Sequence, residues 1–153
     1  MENPVDQYRD LNERIIAEFR ANNGHVSSAG FGSNLILMHT LGAKTGRERI
    51  RPAMSLTDGA AWFVVAAARG AQKDPAWMLN LRAHPDIDIE AATPGGVETV
   101  PVTATELAGD EREAVYKRFA QQSPTFTMYE RTVTERVIPV VRLDRRTEAA
   151  ASR

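Results

Sequence analysis

The sequence predicts a mainly β fold with helices (α+β), built as a closed or partly closed antiparallel barrel. Three observations predict it. Apolar, strand-like segments follow one another between residues 34 and 67 with only turn residues separating them. Such neighbours run antiparallel, because a parallel pair needs a crossover of a dozen or more residues. A second strand pair flanks Thr93-Pro94-Gly95-Gly96, a hairpin signal, and helical periodicity is confined to the N-terminus and to the connections between strands.

Taken in order, Val5–Asn22 is a helix by period: Tyr8, Leu11, Ile15, Ile16 and Phe19 form one apolar stripe, with charges of both signs on the other faces. The mixed polar face favours packing on the domain body over a membrane surface, although a weak peripheral membrane contact through this helix stays open. Asn22-Asn23-Gly24 ends it and His25–Ser33 is a Gly/Ser-rich loop. Asn34–Thr40, Arg47–Leu56 and Trp62–Ala67 are the three successive strands, turning at Leu41–Gly46 and at Thr57-Asp58-Gly59. Pro75–Ala83 is a short helix with Asp74 as N-cap, stopped by His84-Pro85. Asp86–Ala92 and Val97–Thr105 form the second hairpin. Asp110–Gln121 is a helix, Ser123–Val133 holds a shorter one, Val137–Leu143 is the last strand, and the tail 145–153 is expected to fray.

The chain of 153 residues, 42% hydrophobic and 25% charged, has room for one core, so a single domain over 1–153 is expected. Nineteen Lys and Arg balance twenty Asp and Glu, and this gives the whole molecule no electrostatic reason to seek nucleic acid. With no cysteine, thiolate nucleophiles, disulfides and iron–sulfur or Cys-based zinc ligation are excluded. The three histidines lack metal-ligand spacing, so no metal is expected. The acidic start lacks the features of a secretory signal, which favours a cytoplasmic location. The longest apolar run, Ala60–Ala68, is far short of the ~20 residues that span a bilayer.

The strongest local anomaly is Ala43–Arg51. It carries Lys44, Arg47, Arg49 and Arg51 against Glu48 alone, a net of +3 from four cations and one anion. In an extended strand the three arginines share a face beside Lys44, an arrangement suited to a phosphate or polycarboxylate; the competing reading is a charged strand edge protected against aggregation. Ala66-Ala67-Ala68 ends a strand with small side chains that let a planar group approach the backbone, and Trp77 could wall a ring pocket, although Trp and Met near a helix also serve as core. Asn80 inside a helix wants partners for its amide. Nucleotide fingerprints are absent: Leu35 stands where G-x-G-x-x-G after Gly30 needs glycine, and Gly42–Gly46 is too short for a P-loop.

Leu35–Pro52, with its Thr40-Leu41-Gly42-Ala43-Lys44-Thr45-Gly46-Arg47 core, and Asp74–Pro85, with Pro75-Ala76-Trp77-Met78-Leu79-Asn80-Leu81, together resemble the deazaflavin-dependent nitroreductase family. Arg136-Val137-Ile138-Pro139-Val140-Val141 is similar to its C-terminal signature. The resemblance spans roughly residues 15–145. It implies an antiparallel split β-barrel of the flavin/deazaflavin-binding type and an oxidoreductase that carries hydride from reduced coenzyme F420 to a quinone, activated enone or nitro compound. Alternatives are a non-catalytic carrier or sensor, and an oxidoreductase using flavin mononucleotide (FMN). Position by position the resemblance implies that Lys44, Thr45 and Arg49 hold the cofactor tail, with Ile50, Arg51, Pro52 and Met54 on the same strand. It likewise implies that Ala66, Ala67, Ala68 and Arg69 approach the ring, and that Ala76, Trp77, Met78, Leu79 and Asn80 flank it. On the acceptor side it implies Ser123, Phe126 and Tyr129, with Tyr129 or water as proton donor. The nitro-activating members carry several tyrosines in that stretch, where only Tyr129 remains here, and Ala43 and Ala68 replace a frequent Arg and Ser.

Overall fold

The computed structural model describes residues 4–27 and 34–146. Six strands, β1 (Leu35–Leu41), β2 (Glu48–Asp58), β3 (Ala61–Val65), β4 (Asp86–Thr93), β5 (Gly96–Glu106) and β6 (Val140–Arg145), close in the order β1-β2-β3-β6-β5-β4, every pair antiparallel. Helices α1 (Pro4–Ala21), α2 (Ala76–Ala83), α3 (Gly109–Gln122) and α4 (Pro124–Thr132) pack around the barrel.

Strand alternation divides the apolar residues into three cores. Ile36, Met38, Trp62, Val64, Ile87, Ile89, Val100, Val102, Val141 and Leu143 fill the barrel, and α2 adds Met78 and Leu81 to the same cluster. The opposite faces of β1 and β3 serve the helices. Leu35 and Leu37 receive Ile15 and Phe19 of α1, flanked by Leu11 and Ile16, so the expected stripe of α1 is covered by the barrel; Tyr8 lies outside the described side chains. Phe63 and Val140 pack with Val115, Tyr116, Phe119 and Phe126 of α3 and α4.

Two buried polar groups lock this packing. Glu90 of β4 accepts two hydrogen bonds from Arg20 of α1, at 2.9 and 2.6 Å, and contacts His39 Nε2 of β1 at 2.7 Å. The Arg20 guanidinium holds the Glu90 carboxyl below the usual glutamate range despite its burial. On the other side, Tyr116 donates its hydroxyl to the Phe126 carbonyl at 2.6 Å, and burial pushes that phenol up to about 12.

Three expectations need correction. Asp74 does not cap α2: Pro75 is the N-cap, without a side-chain capping bond, and the Asp74 carboxylate pairs instead with Arg82 and Arg136. The last strand starts at Val140 rather than Val137. Pro139 has no N–H for a ladder, and the preceding chain is held by Arg136 instead, leaving Val137 74% exposed. Arg145 belongs to β6 and the Arg146 amide donates to Pro101 O, so fraying does not begin at 145; residues 147–153 lie outside the described range. No helix among the described residues is long and apolar enough to cross a membrane.

Candidate active site

The basic segment is a tight turn between β1 and β2. The Gly42 amide donates to Arg47 O and the Gly46 amide to Gly42 O, both at 2.8 Å, while the Arg47 amide donates to Thr45 Oγ1 at 3.2 Å. A Cβ at position 42 would lie 2.6 Å from Thr45 Oγ1, which is why glycine stands there. From α2 the Asn80 side-chain oxygen accepts the Ala43 amide at 2.9 Å and ties the turn to that helix. Lys44, Arg47 and Arg49 are exposed and Arg51 is half-buried. Their charged groups have no ion-pair or hydrogen-bond partner among the described residues, whereas Arg20, Arg82, Arg112, Arg136 and Arg142 are all paired with acids. Four cations on one turn and strand are thus left without an acid among the described residues.

The register of β2 explains the cleft beside them. Pairing with β3 runs from Asp58↔Ala61 to Ser55↔Val64, and there it stops, while pairing with β1 continues to Glu48. Continued by four residues, the same register would set Arg51 opposite Ala68. Instead the chain leaves the sheet after Val65 and turns through Ala68, Arg69 and Gly70, whose φ angles are +50°, +56° and +84°. The opening between the diverging strands is a cleft of about 320 Å³ walled by Arg51, by Ala68 and Arg69, by Pro75, Ala76 and Trp77, and by Asn12 of α1. Ala68 and Ala76 keep the walls low, and Trp77 supplies a flat apolar surface.

Of the residues expected at a site, Arg51, Ala68, Arg69, Ala76 and Trp77 meet in this cleft, and Lys44, Thr45 and Arg49 occupy the adjoining turn and strand. Others are placed apart. Met78 is 2% exposed and belongs to the barrel core. Ala66 and Ala67 are buried, Ile50 packs toward α1, and Met54 packs toward the α3–α4 cluster. Leu79 is 51% exposed on α2, Asn80 serves the basic turn, and Pro52 stands opposite Leu37 in the β1–β2 ladder. Asn12 and Pro75 were not expected at the cleft: Asn12 is one polar residue among many on α1, and nothing in its spacing distinguishes it.

The residues expected on the acceptor side stand apart from this cleft. None of Ser123, Phe126 and Tyr129 lines the cleft. Phe126 is 8% exposed and makes edge contacts with Tyr116, Phe119 and Tyr129, because its ring completes the core between α3 and α4. Tyr129 packs behind the left-handed turn, 3.2 Å from where a Cβ on Gly70 would stand. Ser123 joins α3 to α4, its carbonyl accepting the Phe126 amide.

A closed six-stranded antiparallel barrel that splits between two strands at its cleft is a split β-barrel. Solved structures agree: an F420-H2 dependent reductase, FDR-A, superposes with a TM-score of 0.64 at 32% identity, covering 72% of this chain and 94% of that one. The haem storage protein HutZ of Vibrio cholerae shares the fold alone, with a TM-score of 0.54 at 15% identity over 88% of this chain and 90% of that one. In sequence, an F420H(2)-dependent quinone reductase of Mycobacterium tuberculosis (strain H37Rv) is 33% identical over 136 residues, 85% of this chain and 87% of that protein. The family model described as F420H(2)-dependent quinone reductase matches residues 12–145. This chain belongs to that family, a family of enzymes, and the non-catalytic carrier reading falls with that membership.

Whether the residues suit the cofactor is tested by the site itself. F420 joins a flat ring to a phosphate- and carboxylate-bearing tail. Four unpartnered cations suit such a tail, and a cleft with two alanine walls and a Trp face suits a ring.

Proposed function

We propose that this enzyme binds reduced coenzyme F420 across the β1–β2 turn and the neighbouring cleft and uses it to reduce a small quinone. The observation that carries the reading is the continuity of the two parts. Arg49 and Arg51 are two residues apart on β2, about 6–7 Å along an extended strand, so one strand leads from the unpaired cations into the cleft. A charged edge needs no such cleft at its end. When bound, F420H2 supplies a hydride equivalent and no other redox group is required.

The chain's own residues then have distinct tasks. Lys44, Arg47 and Arg49 hold the anionic tail and use remote binding energy to fix the ring, while Arg51 closes the clamp at the cleft mouth. Ala68 and Ala76 leave room for the ring and Trp77 supports one face. The Asn12 amide offers a donor to a quinone oxygen. Among the described residues no acid or histidine lines the cleft, which makes water the donor of the proton that completes hydroquinone formation.

The experiment is a fluorescence titration of the protein with F420 and, separately, with FMN, followed by reoxidation of F420H2 with menadione, a coumarin-type enone and a nitroimidazole. F420 binding and menadione turnover are expected. Absence of F420 binding ends the reading, and FMN binding in its place would move the site to an ordinary flavin. Turnover of the enone or nitro compound but not menadione would change the acceptor and leave the cofactor assignment standing.

A further inference from the structure

One wall of the cleft is made of backbone that residues with a Cβ avoid. Ala68 and Arg69, at φ +50° and +56°, precede Gly70 at +84°, and two backbone bonds run within the turn, Gly70 N to Ala67 O at 2.9 Å and Ala71 N to Ala68 O at 3.0 Å. Such a turn gains from support outside it.

The Arg136 guanidinium does so with all five of its N–H donors. Nη1 donates to Ala66 O at 3.0 Å and to Asp74 Oδ1 at 2.9 Å, Nη2 donates to Ala67 O and Ala71 O at 3.0 Å each, and Nε donates to Ala71 O at 3.1 Å. The side chain is 10% exposed. Three carbonyls, two before the left-handed residues and one after them, are thereby gathered on one planar fork. The fourth acceptor, Asp74, immediately precedes Pro75, Ala76 and Trp77 on the opposite wall. Asp74 Oδ2 in turn accepts Arg82, which reaches Glu106 of β5. One side chain therefore sets the spacing of both walls.

We propose that Arg136 is a positioning residue of this enzyme, holding the Ala66–Ala71 turn in its left-handed form and at a fixed distance from the Asp74–Trp77 wall so that the cleft is shaped before the cofactor ring enters. The inference rests on the cofactor reading above. It concerns a residue that does not line the cleft. A lysine keeps the charge but has three donors and no planar fork, so it can hold Asp74 and cannot hold the three carbonyls together.

The test compares Arg136→Lys and the double variant Arg136→Lys/Ala68→Gly with the wild type. Hydrogen exchange of peptides covering residues 66–74 reads the hold on the turn without any cofactor, and F420 fluorescence titration reads its consequence. Arg136→Lys is expected to speed exchange in 66–74 at least tenfold, with the β4–β5 hairpin changed less than threefold, and to weaken F420 binding at least tenfold. The double variant is expected to recover threefold or more of that affinity, because glycine adopts positive φ without a Cβ clash. Unchanged exchange in 66–74, an equal rise across the whole barrel, or local loosening with unaltered affinity would each overturn the proposal. If the wild type itself does not bind F420, the cofactor reading fails, and the exchange pattern still decides whether Arg136 holds the turn.

Discussion

Asn80 Oδ1 accepts the Ala43 amide at 2.9 Å, joining the middle of α2 to the tip of the β1–β2 turn across 37 residues of sequence. Through this bond a helix residue helps to fix where Lys44 and Thr45 stand. An asparagine in a helix interior is disfavoured by its own competition for backbone groups, and here that tendency is put to use on a neighbouring backbone.

Asn80→Ala should therefore loosen the turn with little effect on the barrel. The expected loss of folding stability is about 1 kcal/mol, the net worth of one hydrogen bond, measured by urea unfolding. F420 affinity should fall several-fold in a fluorescence titration, and an unchanged dissociation constant would detach the turn from the cofactor.

Lys44→Ala and Arg49→Ala should each weaken F420 binding by about 1–3 kcal/mol, the range for hydrogen bonds to charged groups, and should leave unfolding midpoints nearly unchanged because neither side chain has an internal partner among the described residues. The wild-type affinity should fall as salt is raised from 50 to 500 mM, and each variant should show a shallower dependence. Two variants with wild-type affinity would place the tail elsewhere.

Glu90 makes the attachment of α1 sensitive to acid. Its carboxyl titrates below the unfolded value because Arg20, and secondarily His39, favour the ionised form. A lowered pKa in the folded state means stability that is complete above the unfolded glutamate value near 4.5 and is lost as pH falls through the folded value. Glu90→Gln should cost about 1–2 kcal/mol at pH 7, discounted because Arg20 is half exposed, and should flatten the decline of stability below pH 4.5. Unfolding curves between pH 3 and 7 (roughly the range over which carboxylates titrate) would expose any failure of the variant to flatten that slope.

Tyr116 acts at the other end of the scale. Burial raises its phenol from 10 to about 12, so the unfolded chain loses this proton first and stability falls as pH rises between those values. Tyr116→Phe should remove this alkaline slope while losing the bond to Phe126 O, about 1 kcal/mol at neutral pH. A wild-type protein whose stability stays flat from pH 9.5 to about 12 would contradict the burial of this hydroxyl.

The elements were legible in the sequence because each obeys a local rule. Leu11, Ile15, Ile16 and Phe19 repeat at helical spacing and do cover one face of the barrel. The apolar run Asn34–Thr40 marks β1, although the division of Ile36 and Met38 from Leu35 and Leu37 between two cores shows only in the fold, and strands joined by short turns had to be antiparallel. The cluster of cations around Lys44 was equally visible, since charge composition is a property of the chain.

What the tertiary structure alone decided was which residues share a surface. Arg51 and Ala68 are brought to one cleft because the β2–β3 register stops early, and no periodicity announces where a ladder ends. Phe126 and Met78 went to cores rather than to a ligand, since apolar side chains fill whatever space the packed elements leave. Asp74 became a partner of Arg136 in place of a helix cap, an exchange made across 62 residues that only folding brings together. Local propensity acts over a few residues and was sufficient for helices and strands; the site is an arrangement of distant groups, fixed by closure of the barrel.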